Sequence, residues 1–242
     1  MKADIYEERY YRRYVAPEQI QNFNITIFES DLQIYTDGDL EDVLKVELKK
    51  LRETIEAYIQ IYPEFNASLK PIKVLPSDPL IIKHMKEASK KLGVGPMATV
   101  AGAVSHYLGL MFYKETKELI IENGGDLFVY SIQNKRVLLH GGAHSKVNNL
   151  SIEIDSNELP IGICTSSGKL GHSLSFGKCD AVTVISKDTL VADAAATAFG
   201  NLLIDKSKIK DVLNYSRTFK DISGVIAIVD DQMGAWGNFE FV

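Results

Sequence analysis

The sequence predicts an α+β fold in which antiparallel strands and a pair of helices occur in each half of the chain, about residues 1–117 and 118–242. Three observations carry that expectation. Runs of β-branched and aromatic residues are joined by short turns, as in antiparallel hairpins. Between them lie segments whose apolar residues recur at helical spacing. The order strands, two helices, strands is met twice, which suggests a duplicated unit, although no residue-level repeat accompanies it. One domain spanning 1–242 is expected.

Taken in order, Glu7 to Val15 and Phe23 to Thr36 read as two antiparallel strands, and Asp37-Gly38-Asp39 as a turn that can also cap a helix. Leu40, Val43, Leu44, Leu48, Leu51, Ile55, Tyr58 and Ile59 then place one apolar face on a long helix ending near Pro63. Its charges form a solvated face. After an extended piece, Leu69 to Leu75, Ser77-Asp78-Pro79 supplies an N-cap and a first-turn proline, and Gly93 a stop. His84 on this helix is read as a packing or surface histidine rather than a ligand. The next helix, about Met97 to Lys114, carries Ala98, Ala101, Gly102, Ala103 and Ser105, small residues that admit a close neighbour or a ligand.

Strand Glu118 to Glu122, the turn Asn123-Gly124-Gly125-Asp126, strand Leu127 to Ile132, a tight turn at Gln133-Asn134-Lys135 and strand Arg136 to His140 follow, ending in Gly141-Gly142-Ala143-His144. Because the hairpin folds back on itself, both diglycine segments are expected at the same end of the sheet. They are then either two ordinary turns or a pair of exposed N–H clusters beside polar side chains. Strands Leu150 to Asp155, Ile161 to Thr165 and Ala181 to Ser186 come next, with a polar loop from Thr165 to Asp180. A structureless run of that length is functional or disordered, and the flanking strands favour function. Asp188 or Thr189 can cap a helix running to Phe199 and stopped by Gly200; a helix from Lys206 to Tyr215 and strands Gly224 to Asp230 and Trp236 to Val242 complete the order.

Composition narrows the function. In 242 residues, 45% are hydrophobic and 24% charged, with a net charge of −5, and no basic stripe with interleaved aromatics is present, so nucleic acid is not an expected partner. The first residues alternate charge and aromatics where a signal peptide needs an apolar core, and no run approaches the roughly 20 apolar residues of a membrane span. A cytoplasmic protein without a membrane partner is expected, and self-association into a homo-oligomer is left open. Two cysteines, Cys164 and Cys179, fit a reducing compartment.

The chemistry-bearing residues cluster between Gly162 and Asn201. Asp193 and Thr197 are four apart on an alanine-rich helix and share a face. A carboxylate in such close packing needs hydrogen bonds or a cation, and oxygen ligands from Asp and Thr suit a hard ion such as Mg²⁺. The alternative is that Asp193 faces water and Thr197 bonds a backbone carbonyl. Thr165-Ser166-Ser167-Gly168 offers hydroxyls and backbone for an anion, with Lys169 beside it; it is not a P-loop, since Gly168-Lys169 is followed by Leu170. His172, between Gly171 and Ser173, can act as an acid or base near neutral pH. No G-x-S-x-G supports a serine-hydrolase elbow. Cys164, Cys179, His144 and His172 match no common zinc spacing, and buried thiols are favoured.

Together the glycine-rich helix start at Gly95 to Gly102, the Asn123-Gly124-Gly125-Asp126 turn, the TSSG loop with His172, the strand AVTVIS and the helix segment ADAAATA at Ala192 to Ala198 resemble the ApbE-type FAD:protein FMN transferases, most closely a shorter branch related to that family. The resemblance runs from about Gly93 to Gly200. It implies an ApbE-like, T-fold-related architecture and an activity that uses Mg²⁺ to transfer the FMN part of FAD to a protein threonine. It further implies that Asp193 and Thr197 are metal ligands, that Asn123, Gly124, Gly125 and Asp126 border the flavin, that Thr165, Ser166, Ser167 and Gly168 lie beside the diphosphate, and that His172 stands in the catalytic loop. His172 and Asp126 are the candidate catalytic residues. The chain has Val100-Ala101-Gly102 where the family has Ala-Lys-Gly, and Ser173-Leu174-Ser175-Phe176-Gly177 where the family continues with Asp-Pro-x-Thr-Gly. The functional expectation is therefore a protein that binds flavin (FAD or FMN) or a nucleotide diphosphate with Mg²⁺ and transfers or hydrolyses a nucleotidyl group. The alternatives are a non-catalytic binding or assembly protein on the same fold, and a metal-independent hydrolase using His172 with Ser173 or Ser175.

Overall fold

The opening hairpin falls on the stretch from Phe23 to Thr36 that the sequence reads as one continuous strand, beginning two residues before it. In a computed structural model that describes residues 20–139, 150–167 and 180–242, β1 (Gln21–Ile27) and β2 (Ser30–Thr36) pair antiparallel with Ile27 opposite Ser30. The reversal falls on Phe28 and Glu29, with Phe28 at φ 52°. Neither glycine nor proline marks it, and a bulky aromatic rarely adopts the left-handed region. The strand expected at Glu7 to Val15 lies outside the described residues.

Helix α1 (Glu41–Ile61) buries Leu44, Leu48, Leu51, Ile55 and Tyr58 along the expected stripe. Asp37 does not cap it; its Oδ1 accepts from the backbone N–H groups of Lys117 and Glu118 and so ties the turn to the next strand. After the short α2 (Glu64–Ala67), α3 (Leu80–Leu92) starts at Pro79 without a side-chain cap and stops at Gly93, φ 75°. The expected capping role of Ser77-Asp78 is replaced by a buried one. The carboxylate of Asp78 accepts from Lys86 Nζ at 2.8 Å, from Tyr58 Oη at 2.7 Å and from the Leu75 N–H at 2.7 Å. A buried ammonium and carboxylate persist because each satisfies the other. A 3₁₀ turn, Pro96–Thr99, leads into α4 (Val100–Phe112).

The remaining elements are β3 (Glu118–Asn123), β4 (Asp126–Ser131), β5 (Lys135–Leu139), β6 (Leu150–Ile154), β7 (Ile161–Ser166), β8 (Ala181–Ser186), α5 (Thr189–Leu202), α6 (Ile209–Ser216), β9 (Ile222–Val229), β10 (Gln232–Gly237) and β11 (Glu240–Phe241). Among the described residues they build an antiparallel sheet of eight strands, ordered β1-β2-β3-β4-β7-β8-β9-β10, and a second of three, β11-β6-β5. Strand β5 does not fold back on β4. It crosses to the small sheet and pairs with β6, while β7 takes the place beside β4. The reasoning that put both diglycine segments at one end of one sheet fails for that reason, and Gly141-Gly142-Ala143-His144 lies outside the described residues.

Strand alternation divides the molecule into layers. Phe128, Cys164, Val182, Val184, Val225 and Ala227 face the helices, whereas Val129, Ile161, Ile163, Ile185, Ile226 and Ile228 face Val137, Leu139, Ile152 and Ile154 of the small sheet. The fold is thus a mixed α/β arrangement of helices, large sheet and small sheet. Several boundaries differ from expectation. Helix α5 runs through Gly200 to Leu202, and the last predicted strand divides, its end, β11, joining β6 in the small sheet. No helix among the described residues is long and apolar enough to cross a membrane.

Candidate functional site

Helix α5 is buried from Thr189 to Gly200. Its alanines let it lie against β7, β8 and α4 at once, and every polar residue it carries must find a partner there. At its start Asp188 Oδ1 accepts from the N–H groups of Leu190 and Val191, at 2.9 and 3.4 Å, while Oδ2 lies 2.8 Å from His84 Nε2. Burial is the largest single influence on Asp188 and pulls it upward, but the hydrogen bond and charge of His84, the charge of His106 and the Val191 N–H together hold it below the usual carboxylate range. His84 is therefore more than packing: it fixes the cap. The cap residue is one of the two the sequence offered.

Five residues on, Asp193 is 9% exposed, and its Oδ2 accepts the Gly102 N–H at 2.8 Å. Gly102 is required by that approach, since a β-carbon there would stand 2.7 Å from both Asp193 Cβ and the Thr189 carbonyl oxygen. The alternative in which Asp193 faces water does not hold. Thr197, one turn further along the same face, is 8% exposed. Among the described residues nothing hydrogen-bonds its hydroxyl or Asp193 Oδ1.

Opposite this face, Asp126 begins β4 and pairs in register with Cys164 of β7. Both side chains point to the helix layer. Burial, and then the Asp193 carboxylate, raise Asp126 well above the usual carboxylate range against the opposing hydrogen bonds of the Cys164 thiol and the Thr165 backbone. Burial likewise lifts Asp193 to about 7, and burial with Asp126 and Asp193 nearby pushes the Cys164 thiol up. That thiol donates to the Thr189 carbonyl at 3.5 Å and is not a nucleophile in this setting. Two buried carboxyls interact electrostatically, an arrangement that a cation or a shared proton relieves.

The turn between β3 and β4 closes the site. Gly124 and Gly125 adopt φ 67° and 101°, which a type I′ hairpin turn needs. Asn123 Nδ2 donates to the Ala101 carbonyl at 3.2 Å, and Glu122 Oε1 accepts the Gly125 N–H at 2.7 Å, so the turn is tied to the start of α4 and to its own strand. Of the sequence's candidates, Asn123 is tied to Ala101 and Asp193 to Gly102 at the start of α4, and Asp126 lies close enough to Asp193 for their charges to interact, while Thr197 stands one turn beyond Asp193 on the same helix face. Ser166 has the strand parity of Cys164 and faces the helices. Thr165 does not: its hydroxyl bonds Thr183 at 2.8 Å on the face toward the small sheet. Ser167 ends this described stretch, half-buried. Gly168, Lys169, His172, Cys179 and His144 lie outside the described residues.

Sequence reasoning did not assign Cys164, Gly102, His84 or the His106–Thr189 contact to the site, because each acquires its partner only through tertiary pairing. The small-residue run around Gly102 was the available signal. Among the described residues Asp193 keeps one oxygen and Thr197 its hydroxyl without a hydrogen bond, and Asp126 adds a second carboxyl, oxygen donors of the kind a hard cation takes; no three or more His, Cys, Asp and Glu side chains are grouped there to hold a metal by themselves.

Comparison with known proteins places these features. The family model described as AbpE bacteria matches residues 12–217. The UPF0280 protein of Methanobrevibacter smithii is 36% identical over 222 residues, covering 88% of this chain and 92% of its own. The UPF0280 protein of Archaeoglobus fulgidus is 37% identical over 227 residues, 90% and 93% of the two chains. Among solved structures, the flavin transferase ApbE from Vibrio cholerae superposes with a TM-score of 0.63 at 11% identity, covering 92% of this chain and 98% of that one. The flavinyl transferase ApbE of Pseudomonas stutzeri, in its apo form, gives 0.59 at 13% identity over 90% and 94%. The chain adopts the fold of those structures and belongs to the family described as AbpE bacteria, an ApbE-like branch in which the archaeal UPF0280 proteins are its relatives.

Proposed function

We propose that the chain binds a flavin, FAD or FMN, or a related nucleotide diphosphate together with Mg²⁺ in the pocket between the Asn123–Asp126 turn, the start of α4 and the middle of α5, and transfers or hydrolyses a nucleotidyl group there. The observation that carries this reading is the buried pair Asp126 and Asp193 around the Gly102 N–H. Two buried carboxyls that interact electrostatically destabilise the empty protein, so their placement calls for a cationic ligand. Asp193 and Thr197 would hold the metal, which would supply Lewis-acid polarisation of a phosphoanhydride. The backbone N–H groups of Gly124 and Gly125 and the hydroxyls of Ser166 and Ser167 would orient the ligand. Thr165 would contribute its backbone rather than its hydroxyl. Gly168 would stand beside the diphosphate, and His172 or Asp126 would move the acceptor's proton.

The finer architecture belongs to the same proposal. The order hairpin, helices, hairpin is met in β1 to β4 and again in β7 to β10, which supports a duplicated, T-fold-related domain extending over 1–242. The buried free thiol of Cys164 suits a reducing compartment such as the cytoplasm. Thermal-shift measurements with FAD, FMN and adenine nucleotides, each with Mg²⁺ and with EDTA, test the reading. A flavin- or nucleotide-dependent rise in Tm that EDTA removes is expected; no shift with any of them refutes it. A non-catalytic cofactor-binding protein on the same fold would show the shift without turnover, and the Ala101 and Ser173–Gly177 departures favour keeping that second reading.

A further inference from the structure

We propose that His106 is a positioning residue, which sets the register of α4 against α5 and thereby holds Asp193 on the Gly102 N–H; the inference deepens the metal-site reading above and rests on it. Helix α5 presents α4 with a face of alanines and α4 answers with Gly102 and Ala103, all buried. Small residues at helical spacing offer equivalent seats one turn apart, about 5.4 Å. Apolar packing alone does not choose among them. Hydrogen bonds do, and among the described residues two pairs link these helices: Gly102 with Asp193 and His106 with Thr189. The pairs step four residues forward on α4 and four back on α5, one turn in each helix, as antiparallel neighbours must. If Asp193 is to serve a cation with the oxygen that Gly102 leaves free, a link that takes no part in the site can hold the register whether or not the ion is bound. His106 supplies that link.

The ring is built for that task. His106 Nδ1 lies 3.4 Å from the Thr189 N–H and 3.2 Å from its hydroxyl. Thr189 opens α5, and its N–H is one that the helix leaves unpaired and that Asp188 does not take, since Asp188 accepts from Leu190 and Val191. The imidazole thus completes the cap from a neighbouring helix. Its orientation is set by three rings, with centroids at 5.7 Å for His84, 6.1 Å for Tyr107 and 6.3 Å for Phe128. Burial pushes His106 below the ordinary histidine range, which the nearby Asp188 only partly opposes, so the ring is neutral with Nδ1 free to accept. That lone pair is shared by the N–H and the hydroxyl of Thr189, both on the residue that opens α5.

The test uses the full chain, ¹⁵N-labelled, with Mn²⁺ as the probe ion. Two readouts are followed in wild type, His106→Leu, His106→Asn and Thr189→Val: the chemical shift and exchange protection of the Gly102 amide, which reports its bond to Asp193, and the Mn²⁺ affinity. Asparagine presents its amide oxygen where Nδ1 stands and so restores an acceptor. His106→Leu and Thr189→Val are expected to move the Gly102 amide upfield, reduce its protection and weaken Mn²⁺ binding on the order of 10-fold or more, and His106→Asn to recover both. An unchanged Gly102 amide in the two disruptive variants, or no recovery in His106→Asn, overturns the inference. Should His106→Leu fail to fold, the milder Thr189→Val decides the same question. If wild type binds no Mn²⁺, the metal reading falls, whereas the Gly102 amide still decides the role of His106.

Discussion

The residue that most repays attention is Asp193. Its acid stands in an alanine helix with Thr197 four positions on, so its part in a site could be read from spacing alone. Its relation to Asp126 could not, because those residues come from distant strands and helices and meet through the β4–β7 pairing and the packing of α5. The pair has a pH signature. Both carboxyls titrate higher in the folded protein than the roughly 3.9 of an unfolded aspartate. The folded state therefore keeps protons that the unfolded chain has lost, so their contribution is full below about pH 4 and declines as pH rises, for Asp193 until about pH 7. Denaturant titrations in EDTA should show wild type losing about 1.4 kcal/mol per pH unit relative to Asp193→Asn across that window, the share of the Asp193 carboxyl alone. Mg²⁺, which binds the ionised form, should offset the loss. A wild-type slope equal to that of Asp193→Asn would show that Asp193 is not held protonated.

At the level of elements, the sequence was most informative where a local signal and a tertiary one agree. Strand β8 falls on the predicted residues, Ala181–Ser186, because its β-branched run is bounded by polar turns on both sides. Helix α5 begins where Asp188 caps it. Its end differs because Gly200 usually stops a helix, yet here the helix continues through it to Leu202. The β1–β2 reversal was hidden by the lack of turn residues at Phe28 and Glu29, and the departure of β5 by a turn chemistry that suits either a hairpin or a crossing. The cap offers a quantitative check. Asp188→Ala removes two backbone acceptor contacts and the partner of His84, and should cost about 1–2 kcal/mol, a fall in Tm of about 2–4 °C per kcal/mol for a chain of this length. Calorimetric unfolding measures it; an unchanged Tm would mean that packing alone sets the start of α5.

For the molecule as a whole, the candidate site lies where the two hairpin–helix–hairpin regions meet on the helix face of the large sheet. Asn123, Asp126 and Gly102 come from the first region, and Cys164, Asp193 and Thr197 from the second. Ligand bound there would bridge both, and at 100 times its Kd would add about 2.7 kcal/mol to the folded state. The site's chemistry was legible in outline from motif order, whereas the separation of Thr165 from its neighbours was not, since the period of a strand decides the face only once register is known. Isothermal titration calorimetry of FAD into wild type and Asp193→Asn, in Mg²⁺ and in EDTA, tests the central claim most directly. Mg²⁺-dependent heat is expected in wild type and none in Asp193→Asn, a variant that remains folded with a Tm at or above wild type at pH 8. Heat that persists in EDTA and in Asp193→Asn, or no heat in wild type with Mg²⁺, would contradict it.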